Sequence, residues 1–118
     1  GDRVRVHGFM DIFDKGFDTH ALFLAPIRFM GGIKVKNLEA LAREMPLLTT
    51  AVGADGSGVR CGVQAEIAET PQEIAMKAIE LLDDAPRRLS LGKAGRAWVS
   101  EHFSMAAMVR CLEACAEV

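Results

Sequence analysis

Apolar positions are densest between Ala21 and Gly56, and their spacing changes period twice along that stretch. Ala21-Leu22-Phe23-Leu24-Ala25 is an unbroken apolar run closed by Pro26, which withdraws a donor from any strand ladder. Gly31-Gly32 follows. Ile33, Leu38, Leu41, Ala42 and Met45 then form an apolar helical face, with Lys34, Lys36, Arg43 and Glu44 outside it or toward the turn. Pro46 ends this helix, expected over about Ile33 to Glu44, and opens a second apolar run, Leu47 to Thr50. Unbroken apolar runs mark parallel strands buried on both faces, and a helix must carry the chain back between them. The pattern predicts a βαβ unit. Its two glycine turns, at Gly31-Gly32 and from Gly53 to Gly56, follow strand carboxyl ends, where open α/β sheets bind ligands.

The flanks extend the same alternation. Val4 and Val6 alternate with Arg3 and Arg5 up to His7-Gly8, which predicts a short strand near an edge. Phe9 to Lys15 reads as one or two helical turns stopped by Gly16, and Phe17 to His20 as a connector. Gly53, Gly56, Gly58 and Gly62, with Asp55 and Ser57 between them, mark a mobile loop before a short strand at Ala65 to Glu69. Thr70-Pro71-Gln72-Glu73 is a helix start: an N-cap, a proline at the first helical position and a capping-box glutamate. That helix runs to Asp83 and places Ile74, Ala78, Leu81 and Leu82 on one stripe.

Asp84 can cap a further helix over about Ala85 to His102, with Ala94, Trp98 and Val99 inward. Gly92 and Gly95 each weaken that helix by roughly 1 kcal/mol relative to alanine, so they imply close packing against another backbone. Ser104 caps a last helix carrying Met105, Met108, Val109, Leu112 and Cys115. The total, about four short strands and five helical segments, is an α/β domain with a largely parallel sheet and right-handed crossovers.

Composition narrows the classes. The 118 residues suffice for one small domain, and the 14 basic against 16 acidic side chains leave a net charge of −2. No global basic field recommends nucleic acid as a partner. The longest apolar run, Ala21 to Ile27, is far too short to span a bilayer, and no signal peptide is visible. Three cysteines in a chain not dense in cysteine argue against a disulfide scaffold and for a reducing, cytoplasmic setting. Cys111 and Cys115 share a helix face, but no third ligand stands near them in sequence, so small buried apolar residues are a better reading than a metal pair. No metal is expected.

Candidate chemistry centres on the first glycine turn. Gly31-Gly32 ahead of a helix offers free N–H groups at the positive end of the helix dipole, which suits a phosphate or diphosphate. Lys34 in the first turn is unfavourable for the helix unless an anion lies nearby. The spacing matches neither the dinucleotide fingerprint nor a Walker loop, so an ordinary strand-to-helix turn stays open. Glu39, between Leu38 and Ala40, could accept from the adjacent hydroxyls of a ribose, or pair on the surface with Lys36 or Arg43. His7, His20 and His102 suggest no triad. Asp83-Asp84 reads as a helix end followed by a cap, and Arg87-Arg88 as a solvated face.

These residues resemble a family. Gly32-Ile33-Lys34-Val35-Lys36-Asn37-Leu38-Glu39-Ala40-Leu41-Ala42, then Met45-Pro46-Leu47-Leu48-Thr49-Thr50, then Gly53-Ala54-Asp55-Gly56 follow the C-terminal domain of GT-B glycosyltransferases of the retaining group 4 and related group 1-like sequences. Val4 to Gly8, the Thr70-Pro71 helix, Leu91 to Arg96 and Phe103-Ser104 match the same pattern in order. The resemblance implies a Rossmann-like sheet and a nucleotide-diphosphate sugar as donor substrate, with no separate cofactor. It implies that Glu39 holds the donor ribose and that Gly31, Gly32 and Ile33 bring N–H groups to the diphosphate or sugar. Phe9 and Met10 would meet the nucleobase through their backbone. The paired-glutamate form of the motif has an acid eight residues before Glu39, where this chain has Gly31, so the chain resembles the Gly-Ile-Lys subgroup and Lys34 is offered in place of that acid.

In the family two further βα units and an N-terminal acceptor domain precede the strand at Val4. With the strand order 3-2-1-4-5-6, the two earlier strands would lie between Val4 to Val6 and Ala21 to Ala25. The expectation is therefore a fragment of a longer transferase, inactive alone, whose open sheet edges favour a homo-oligomer. The parent would meet a nucleotide sugar and the rest of its own chain, and is compatible with peripheral membrane association. The competing classes are a response-regulator-like module and a non-catalytic α/β scaffold.

Overall fold

The computed structural model describes residues 21–29 and 31–104. The strand expected at Val4 to Gly8, the helix expected at Phe9 to Lys15, the residues Phe9 and Met10 expected at the nucleobase, and the last expected helix with Cys111 and Cys115 lie outside the described residues.

Three strands, β1 (Phe23–Ala25), β2 (Leu47–Thr49) and β3 (Glu66–Ile67), form a parallel sheet in the order β1-β2-β3. Phe23 pairs with Leu47 and Ala25 with Thr49; Leu48 pairs with Glu66. The helices are α1 (Val35–Ala42), α2 (Ala51–Ala54), α3 (Pro71–Leu82) and α4 (Ala85–His102). The α/β class and parallel sheet are as the apolar runs predict.

Successive residues of a strand face opposite sides, and β2 uses both. Leu48 packs with Ala68, Ile74, Leu81 and Leu91, beneath α3 and α4. Leu47 packs with Ala25, Leu41 and Ala65, beneath α1. A central strand buried on both faces needs apolar residues at consecutive positions, which is why β2 reads as an unbroken run. β1 is the outer strand of the described sheet, and Leu24 on it is 45% exposed, so the expected two-sided burial of the first run is not met.

Several boundaries differ from the pattern. α1 begins at Val35 rather than Ile33, and Ile33 is 49% exposed in the turn before it. Its inner face is Asn37, Ala40 and Leu41; Ala42 faces outward. The periodicity missed this because Asn37, a polar residue, holds an inner position. Glu44 adopts φ 60, the left-handed conformation that usually calls for glycine after a helix. Its carbonyl lies against Gly92 of α4, so only a residue without a side chain fits there.

Gly95 approaches Leu41 and the Gln64 carbonyl in the same way, since a Cβ at this position would stand only 2.7 Å from Leu41 Cδ2. Both glycines thus seat α4 on α1, as their cost in a helix implied. The buried face of α4 is Leu91, Gly92 and Gly95, while Ala94, Trp98 and Val99 are half-buried.

Local capping signals translate directly. Thr70 Oγ1 accepts the Glu73 N–H at 3.1 Å and Asp84 Oδ1 accepts the Arg87 N–H at 3.0 Å. Glu73 reaches back to the Glu69 N–H at 3.4 Å, one residue earlier than a capping box requires. Leu82, expected on the inner stripe of α3, is exposed. Arg87 and Arg88 are not a solvated face. Arg87 pairs with buried Glu66 at 2.6 Å, and Arg88 Nη1 donates to the Leu81 and Leu82 carbonyls, at 2.7 Å each, closing the end of α3.

Candidate functional site

The carboxyl ends of β1 and β2 open into a cleft of about 360 Å3 lined by Arg28, Phe29, Gly31, Ala51, Val52 and Asp55. Its walls are the segment between β1 and α1 and the segment around α2. The second wall begins with Thr49 and Thr50, whose hydroxyls tie it to the first. Thr49 Oγ1 donates to the Ala25 carbonyl at 2.8 Å, and Thr50 Oγ1 donates to the Ile27 carbonyl. Thr50 also accepts the Gly53 N–H at 3.1 Å, capping α2. The stretch from Gly53, expected as loop, thus begins inside this single helical turn. Neither proline nor hydrophobic periodicity marks so short an element.

Three side chains lace the two walls together. Asp55 Oδ2 accepts the Gly32 N–H at 2.9 Å. Lys34 Nζ donates to the Val52 carbonyl at 3.0 Å and also to the Gly32 carbonyl. Asn37 Nδ2 donates to the Gly53 carbonyl at 3.0 Å. Asn37 Oδ1 is buried without a partner among the described residues, an arrangement that costs about 1–3 kcal/mol. Two glycines permit the approach. Gly53 has no room for a Cβ beside the Thr49 hydroxyl. Gly56, at φ +80, would bring a Cβ within 2.9 Å of Ile33 Cγ1.

The residues singled out by sequence fall into two groups. Gly31 lines the cleft, Gly32 and Lys34 make the bonds above, and Ile33 packs on Gly56. Glu39 does not line the cleft. It lies further along α1, on the order of 7 Å from the Lys34 N-cap along the axis at 1.5 Å per residue. Its side chain is 40% exposed and lies 3.8 Å from Arg43 Nε, an i,i+4 pair too long for a hydrogen bond. Its carboxylate accepts no hydrogen bond among the described residues.

Sequence reasoning passed over Arg28, Glu69 and the role of Asp55. Arg28 Nη1 donates to the Glu69 carbonyl at 2.8 Å, and Glu69 Oε1 accepts the Ala51 N–H at 2.7 Å. Position carries the missed signal: each polar residue stands a few places past a strand end, on the rim where the sheet opens. Phe29, 82% exposed, adds an aromatic face to that rim. The cleft therefore combines a guanidinium with unused donors, a carboxylate and an aromatic ring. Such a set can hold a polar ligand bearing both anionic and hydroxyl groups. Among the described residues no group of His, Cys, Asp and Glu is arranged to hold a metal ion, and no helix is long and apolar enough to cross a membrane.

Residues 1–84 match the family described as "Glycosyl transferases group 1". A 52-residue stretch is 35% identical to a Klebsiella pneumoniae protein described as "Uncharacterized 44.6 kDa protein in cps region". That match covers 44% of this chain and 13% of the Klebsiella protein.

Proposed function

The chain belongs to the group 1 glycosyl transferases, and from that premise we propose that it holds the donor, a nucleotide-diphosphate sugar, at the carboxyl ends of β1 and β2. Glu39 takes the two adjacent hydroxyls of the ribose. The turn Gly31-Gly32-Ile33-Lys34 and the cleft beside it take the diphosphate and the sugar. Phe9 and Met10 belong to the same reading as backbone contacts to the base. Transfer of the sugar to an acceptor, with retention and in a GT-B arrangement, is the activity that this donor site would serve.

The observation that carries the reading is the state of Glu39. A half-exposed carboxylate, with an ion pair to Arg43 at 3.8 Å and no hydrogen bond among the described residues, stands on the helix that leaves the glycine turn. A vicinal diol can donate to both oxygens at once, as charge-assisted hydrogen bonds. The separation of Glu39 from the cleft also suits the ligand, because a diphosphate stands between ribose and sugar. That Arg28 lines the cleft with donors left after its bond to Glu69 supports a role toward negative charge developing on the leaving diphosphate.

Titration of the 15N-labelled chain with UDP, GDP and ADP tests the reading. The expected result is that one of them shifts the amides from Gly31 to Glu39 and those of Ala51 to Asp55. Shifts confined to other elements, or none at millimolar ligand, would favour a non-catalytic scaffold.

A further inference from the structure

We propose that Asp55 is a specificity-determining residue for the donor, accepting hydrogen bonds from the hydroxyls of the sugar and making the Gly32 end of the cleft a sugar subsite rather than a diphosphate subsite. The inference rests on the donor-site reading above and assigns which part of the donor meets which part of the cleft.

Three observations carry it. First, Asp55 presents its carboxylate in the cleft, and the side chain is held there by Oδ2 on the Gly32 N–H at 2.9 Å. Its other oxygen has no partner among the described residues. Second, the space belongs to Asp55 because Gly31 leaves it open. A Cβ on Gly31 would stand in ordinary contact, 3.5 Å from Asp55 Oδ2, so a longer side chain directed that way would meet the carboxylate. Third, the placement is built into the scaffold. The bonds Lys34 to Val52 and Asn37 to Gly53, with the close approach of Gly56 to Ile33, fix the backbone on both sides of Asp55.

The chemistry then selects the occupant. An ionised carboxylate accepts hydrogen bonds and donates none, so it pairs with hydroxyls. It repels a phosphate, and it already occupies the N–H of Gly32 that a phosphate would need. Arg28, on the same cleft, is the group suited to the diphosphate. Sugar at Asp55 and diphosphate toward Arg28 is the orientation that leaves no like charges in contact.

The test compares the intact chain with its Asp55→Ala and Asp55→Asn variants by calorimetry. The probes are UDP, GDP and ADP and the conjugates UDP-glucose, UDP-N-acetylglucosamine, GDP-mannose and ADP-glucose. The readout is the affinity of a conjugate relative to its bare diphosphate. The expected result is a fall in that ratio of about tenfold or more in Asp55→Ala, with the bare diphosphate within about threefold of its original affinity, the size of effect expected on losing a hydrogen bond to a charged group. Asp55→Asn retains a carbonyl for the Gly32 N–H, keeps the loop in place and should lower the ratio by less. An unchanged ratio in Asp55→Ala would overturn the proposal while leaving the donor site standing. Equal tightening of diphosphate and conjugate in both variants would also overturn it, identifying Asp55 as a plug of the anion site. No binding of any probe to the unaltered chain would refute the donor-site reading itself, and this proposal with it.

Discussion

Glu66 and Arg87 illustrate how little of a side chain's role its charge alone reveals. Glu66 is nearly buried, and Arg87 Nη2 reaches it at 2.6 Å while also donating to the Gly62 carbonyl at 2.7 Å. Lys77 is the second cation, at 3.9 Å. Removing one partner of such a pair leaves a desolvated charge, and the penalty exceeds what the pair contributed. Arg87→Ala should therefore lower unfolding stability in urea by about 1–3 kcal/mol, discounted from the fully buried case because Arg87 is part-exposed. A change below about 0.5 kcal/mol would show that Lys77 and the Cys61 thiol satisfy Glu66 without Arg87. The sequence showed adjacent arginines, but not that a carboxylate 21 positions earlier would turn inward to meet one of them. Asp55 was hidden for the same reason. A loop position says which residue is polar, and only the folded chain says which N–H group it faces.

At the scale of elements, legibility followed the range of the forces involved. The starts of α3 and α4 were readable because a cap and its N–H groups lie within three residues of each other. β2 was readable because burial on both faces imposes a run of consecutive apolar positions. α2 was not, since a single turn held by Thr50 leaves no periodic trace. The packing of α4 on the end of α1 lay between these cases. Its helical glycines were visible, and their partner, the carbonyl of Glu44, was not. Gly92→Ala tests that contact. Alanine improves helix propensity by roughly 1 kcal/mol, but its Cβ would stand 2.2 Å from the Glu44 carbonyl oxygen, a backbone atom that would have to shift. Overpacking of this kind costs about 1–3 kcal/mol. A lower melting temperature is expected, and a rise would mean that α4 does not lean on α1 as described.

Over the whole molecule, the sheet order and the position of the cleft follow from one rule. Parallel strands joined by helices send every strand-to-helix connection to the same edge, so residues scattered through the sequence meet there. Arg28, the Gly31 to Lys34 turn, Thr50, Asp55 and Glu69 come from three different connections and close one rim. Glu39 stands apart from that rim, on a helix flank beside Arg43. A surface pair with Arg43 was one of its two readings from the sequence, and the geometry is that of such a charge. Its assignment to the ribose rests on family membership and on a carboxylate that accepts no hydrogen bond among the described residues. The exposed Arg43 pair contributes only about 0.3–0.5 kcal/mol, so Glu39 can be replaced without harming the fold. Calorimetric titration of Glu39→Ala with whichever of UDP, GDP or ADP binds the unaltered chain is thus the most direct test. The predicted result is unchanged unfolding stability within about 0.5 kcal/mol and a loss of nucleotide affinity of about tenfold or more, the loss expected when charge-assisted bonds to the ribose disappear. Unaltered affinity in a folded Glu39→Ala chain would contradict the account.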